Sequence, residues 1–201
     1  MRASYCSISA RGCRMAAIDF ETTGSAPGFL NSPWQIGIVP IVDGRLCPEE
    51  AFTALLRVPA EQPFNPMTPG RWAQLREELA VSPTLPELWE QLRPMLSGIP
   101  LVAHNAATER SILRQYLPLE EFGPWIDTLA ISRRAYPALG DYKLENLVPA
   151  LGLEQEFSAH CPGLAPHDAL YDAFACGALL TSLLQAPGWD QATIANLTSL
   201  R

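Results

Sequence analysis

The sequence predicts an α/β fold, a mixed five-stranded sheet flanked by helices, on three observations. The chain opens with three short apolar runs joined by hairpin signals. From about residue 70 onward, helical periodicity alternates with short apolar strands. No internal repeat or low-complexity tract competes with that pattern, and hairpins followed by crossovers give a sheet of mixed direction with helices on both faces.

The elements follow in order. Met15 to Phe20 reads as a buried strand, and "WQIGIVPIVDGRL" as a second whose Asp43-Gly44 pair turns the chain into a third, "AFTALLRVP". Pro59, Pro63, Pro66 and Pro69 then mark irregular surface. "GRWAQLREELA" and "LPELWEQLRPML" carry helical periodicity, and Gly98-Ile99-Pro100 ends the second. "LVAHN" is a fourth strand, followed by a helix from about Thr108 to Tyr116; "WIDTL" is the fifth. "AISRRAY" and "LENLVPALG" are further helices, the latter loosened by Pro149, and "HDALYDAFACGALLTSLL" is a long apolar one.

With 201 residues the chain suits one domain with a full core. We expect residues 15–201 to form it and residues 1–14 to be a poorly ordered extension. That extension is basic and acid-free but lacks the apolar core of a secretory signal. It is compatible with a short organellar presequence or with a domain that opens at Met15. No apolar run has the length of a membrane span. The five cysteines are scattered, odd in number and without a C-x-x-C pair, which suits buried thiols in a reducing cytoplasm. His160, Cys161 and His167 lack a recognised zinc spacing.

The formal charge of −7 argues against a module that grips duplex nucleic acid by bulk electrostatics. It argues less against an enzyme that uses divalent cations, because two ions would bring −7 to about −3 and place positive charge where a phosphate sits.

Candidate chemistry begins with "AAIDFETTG". Side chains alternate along a strand, so Asp19 and Glu21 project to one face while Ile18 and Phe20 project to the other. Paired acids raise each other's pKa unless a cation intervenes, and such oxygen-rich sites suit Mg²⁺ or Mn²⁺. The plainer reading is an acidic entry to the turn at Thr22, Thr23 and Gly24. "LVAHNAATERSIL" adds His104, Asn105 and Glu109, and "HDALYDAFACGALL" adds Asp172 on an otherwise apolar helix. His167 lies five positions before Asp172, about 140° away on a regular helix. It therefore belongs to a loop or first turn that covers a site held by Asp172. Asp168, four residues before Asp172, is expected to face solvent at the helix start.

In order, "DFETTG", "PWQIGIVPIVDG", "LVAHNAATERSIL", "IDTLAISRRAYP", "YKLENLVPALGL" and "HDALYDA" resemble the DEDDh-type 3′-5′ exonucleases, over residues 15 to 185. The resemblance implies a ribonuclease H-like fold and two divalent metal ions, Mg²⁺ or Mn²⁺. It implies Asp19 bridging both ions, Glu21 and Asp172 completing their shells, and His167 as general base, histidine being the side chain that accepts a proton near neutrality. It places Glu109 in the remaining acidic position. Backbone amides of the Thr22-Thr23-Gly24 turn, with His104 and Asn105, would contact the 3′ end of single-stranded DNA or RNA. The related subtype with Tyr four residues before the last acid has Asp168 there instead.

Two residues depart from the family pattern His-Asn-Ala-x-Phe-Asp: Thr108 replaces the aromatic, and Glu109 is one methylene longer than the usual Asp. These departures motivate an alternative, a catalytically weak or inactive binding protein on the same fold. Arg110, Arg114, Arg133, Arg134 and Lys143 read either as a phosphate-contacting edge or as solvated helix charge.

Overall fold

The computed structural model describes residues 7–200. Two long strands, β1 (Met15–Thr22) and β2 (Pro33–Val42), pair antiparallel, with Asp19 opposite Gly37. The Asp43-Gly44 turn has positive φ at both residues, as a tight hairpin requires, and leads into β3 (Arg45–Leu46). The third strand expected at residues 51–59 is present but shorter, as β4 (Phe52–Leu55) paired with β2, and a 3-10 turn at Pro48–Glu50 separates it from β3. β3 and β4 thus share the outer edge of β2, and the expected five positions are filled by six strands. β5 (Leu101–Ala103) pairs parallel with β1, and β6 (Trp125–Asp127) parallel with β5.

Seven α-helices flank this sheet among the described residues: α1 (Arg76–Val81), α2 (Trp89–Leu96), α3 (Ala107–Tyr116), α4 (Thr128–Ala135), α5 (Leu144–Ala150), α6 (Ala169–Gln185) and α7 (Ile194–Thr198). The helix expected over 70–80 is a 3-10 turn at Trp72–Leu75 followed by short α1. Strand alternation sorts the core into two layers. Met15 and Ala17 pack with α6 and α5, whereas Ala16, Ile18 and Phe20 pack with α2 and α3. Asp19 and Glu21 continue the first series, so the same alternation that builds the core carries both acids to the α6 side.

Helix α6 is buried almost all round, from Ala173 through Leu180, which fits its uniformly apolar sequence. It approaches β2 closely because Gly37 has no side chain; a Cβ there would lie 2.1 Å from the Ala169 carbonyl oxygen. Pro149 falls in the last turn of α5, which ends one residue later.

Residues 7–14, part of the extension expected to lack order, are packed instead. Ala10 is fully buried and donates its amide to Ala192, Ser9 bridges Thr193, and Cys13 is buried. The apolar Ile8 and Ala10 complete a layer that the carboxy-terminal segment leaves open. Residues 1–6 lie outside the described residues. Cys13, Cys47, Cys161 and Cys176 are free thiols, and no described helix is long and apolar enough to cross a membrane.

Candidate active site

The parallel strands β1 and β5 and the amino end of α6 meet at one edge of the sheet, and the predicted acids gather there. Glu21, His167 and Asp172 each offer a ligand atom within 4.8 Å of the others. Asp19 is half-buried beside them. Burial first, then the charges of Asp172, Glu109 and Glu21, hold its carboxyl well above the ordinary range. Glu21, 7% exposed, is pushed up to about 8 by burial and by Asp172, Asp168 and Glu109. Asp172 is raised to about 6, burial outweighing the amide of His167 and its neighbouring charge.

Glu109 is buried in the first turn of α3 and is pushed up to about 8, chiefly by burial. Its extra methylene does not swing it out of the site, since its charge acts on both Asp19 and Glu21. Its Oε2 is buried without a hydrogen-bond partner among the described residues. An orphaned carboxylate oxygen in a cluster of four acids is the donor set a hard divalent cation takes, so the residues present fit one.

The five-residue spacing of His167 and Asp172 is resolved by the backbone. His167 sits outside the helix with φ of +70°, a left-handed conformation uncommon for a residue with a Cβ. Its amide donates to Asp172 Oδ2 at 3.0 Å, and its ring Nε2 lies 3.0 Å from Glu145 Oε2 on α5. Asp168, expected in solvent, is instead the buried N-cap of α6: it accepts from the Leu170 amide and pairs with Arg71 at 3.1 Å. The burial follows from α6 starting against β2, where Gly37 lets the backbone of Ala169 approach closely.

The residues expected to bind substrate divide. Asn105 is exposed, with φ of +65° and its amide on Asp127 Oδ1. His104 places Nδ1 3.0 Å from Thr128 Oγ1 and Nε2 2.8 Å from the Tyr142 carbonyl. A carbonyl partner requires Nε2–H, so the ring ties β5, α4 and the entry to α5 together, and burial lowers its pKa. Thr23 is fully buried, its amide donating to Ser32 O and its hydroxyl accepting from Ser32 N, so neither group reaches a ligand. Thr22 and Gly24 remain partly exposed. A groove of about 600 Å³ runs beside the acids, lined by Asn105, Arg133, Lys143, Glu145, His167 and Asp172.

Sequence reading missed Glu145, Asp127 and Arg71. Glu145 lies in the first turn of α5, where the helix dipole favours an acid whether or not it has a catalytic partner. Asp127 follows an apolar strand at the same edge, and that position was its signal; it caps α4 and accepts the amides of Asn105 and Ala106.

Residues 16–180 match the family described as Exonuclease. The chain belongs to the exonuclease family. It is 29% identical over 182 residues to Exodeoxyribonuclease 10 of Escherichia coli (strain K12), covering 90% of this chain and 73% of that protein. Among solved structures, Exonuclease X in complex with 5′ overhanging duplex DNA superposes with a TM-score of 0.67 at 28% identity, over 92% of this chain and 99% of the other. The nuclease domain of 3′hExo, a DEDDh family member bound to rAMP, shares the fold with a TM-score of 0.65 at 17% identity, over 92% and 98% of the two chains. The ribonuclease H-like fold and the kinship with DEDDh-type 3′-5′ exonucleases expected from the motifs are borne out.

Proposed function

We propose that this exonuclease hydrolyses phosphodiester bonds at the 3′ end of single-stranded or short nucleic acid, with divalent cations held by Asp19, Glu21, Glu109 and Asp172. The observation that carries the reading is the convergence of four acids, Glu21 and Glu109 buried and Asp19 and Asp172 half-buried, whose pKa values are all raised, with Glu109 Oε2 unpartnered. Such an arrangement is costly unless a cation neutralises it. Two ions bound there, Mg²⁺ or Mn²⁺, would supply an acidified water and charge neutralisation at the leaving 3′ oxygen.

The chain's own residues do the rest. His167 Nε2–H donates to the Glu145 carboxylate, which leaves Nδ1 as the lone-pair nitrogen to take a proton from the attacking water. The His167 amide fixes the orientation of the Asp172 carboxylate. Asn105, Arg133 and Lys143 line the groove that receives the strand. The aliphatic reach of Glu109 keeps its carboxylate within the cluster, which favours an active enzyme over an inactive binding protein. The name of the bacterial relative makes DNA the first substrate to try, beside RNA.

The test uses 3′-labelled and 5′-labelled oligonucleotides, as DNA and RNA, with Mg²⁺, Mn²⁺ or EDTA. Stepwise shortening from the 3′ end, lost in EDTA and in Asp19→Asn, is the expected result. Metal-dependent digestion retained by Asp19→Asn would overturn the site assignment.

A further inference from the structure

Residues 65–71 form a strap between the two halves of the catalytic edge. At one end the Asn65 amide and the Thr68 hydroxyl both donate to the Thr23 carbonyl, at 2.8 and 3.2 Å. Gly24 is pressed so close that a Cβ would sit 2.2 Å from Thr68 Oγ1. At the other end a Cβ on Gly70 would lie 3.1 Å from the His167 carbonyl, and Arg71 pairs with Asp168. The strap therefore leaves the turn after Glu21 and ends on the turn that carries His167.

We propose that Arg71 is a substrate-binding residue whose guanidinium, held by buried Asp168 next to the turn that carries His167, contacts a phosphate of the incoming strand. The inference rests on the nucleic-acid-hydrolysing reading of the site. Three features carry it. The Arg71 side chain is 58% exposed while its Asp168 partner is 6% exposed, so one end of the fork is fixed and the remaining N–H donors face solvent. The N-cap does not need Arg71, because Asp168 Oδ1 takes the Leu170 amide while Oδ2 takes the guanidinium. A polyanionic strand must also approach a cluster of four acids in a chain of net charge −7, and a pre-positioned cation beside His167 offsets that repulsion. Arg133 and Lys143 line the groove, but Lys143 lies 3.7 Å from Glu145, which already draws on its charge. An arginine already oriented by a carboxylate loses little freedom on gripping a phosphate oxygen.

The experiment measures binding of a 5′-fluorescein-labelled single-stranded DNA oligonucleotide by anisotropy, with Ca²⁺ in place of Mg²⁺ to slow cleavage, across a KCl series. Parent, Arg71→Gln and Arg71→Lys proteins are compared. Losing one phosphate contact should weaken Arg71→Gln roughly tenfold at low salt and reduce the slope of log affinity against log salt by about 0.7. Arg71→Lys, which keeps the charge, should restore the slope. A slope in Arg71→Gln equal to the parent's, even with a lower melting temperature or kcat, would show that Arg71 merely braces the α6 cap and would overturn the proposal. A parallel Mg²⁺ turnover assay on the parent reads the catalytic assignment, so the two ideas fail separately.

Discussion

Gly37→Ala tests whether the missing side chain of one glycine sets the distance between the two halves of the site. Gly37 pairs with Asp19 across the β1–β2 ladder, and the start of α6 rests on its bare face. An added Cβ would meet Ala169 O at 2.1 Å, Ala169 C at 2.3 Å and Leu170 N at 2.5 Å, all backbone atoms that no rotamer change can move. Restoring ordinary contact at 3.4 Å or beyond means moving the helix start by more than 1 Å, and Asp172 lies three residues along that helix. Overpacking of this kind costs about 1–3 kcal/mol. A displacement of about 1 Å between catalytic groups costs on the order of 100-fold in rate. Turnover on a labelled oligonucleotide should fall about that much, with a melting temperature lower by about 2–4 °C per kcal/mol. Gly177→Ala is the control: its Cβ would first meet Leu46 Cδ2 at 2.6 Å, the end of a side chain that can turn away. Turnover of Gly37→Ala within threefold of the parent would refute the argument, as would equal damage from Gly177→Ala.

Other outcomes follow from the same geometry. Glu21 and Glu109, with pKa values raised to about 8 from an ordinary 4.5, bind protons in the folded state that the unfolded chain has released. Stability of the metal-free protein is therefore fullest below about pH 4.5 as far as these groups are concerned, and falls as pH rises toward 8. Thermal unfolding in EDTA should show that decline and Mg²⁺ should reverse it at pH 8; a flat or rising profile in EDTA would count against it. Glu109→Gln should lose about 100-fold in kcat and need more Mg²⁺ for half-maximal rate, since it removes an unpartnered carboxylate oxygen from the cluster; Mg²⁺ titration of turnover checks this. Asp127→Ala removes the α4 cap and the anchor for the Asn105 and Ala106 amides. Chemical denaturation should report a loss of about 1–2 kcal/mol, the usual worth of a cap.

The sequence alone determined the succession of the main strands along the chain, the sharing of one face of β1 by Asp19 and Glu21, and the burial of α6. Each rests on local periodicity, because a strand alternates every residue and a helix with apolar residues all round has only the interior to occupy. It also placed Asp172 and Glu109 in acidic positions, through motif order. Tertiary structure alone decided what the local code does not carry. Asp168 became a buried cap because β2 lacks a side chain at Gly37, a fact 131 positions away in the chain. His167 found Glu145 across α5, and His104 and Thr23 turned out to spend their polar groups within the protein. Ala10 was drawn into the core by the carboxy-terminal segment through the Ala192 carbonyl. These are pairings between residues far apart in sequence, and their partners are fixed by how layers stack, which no window of neighbouring residues encodes.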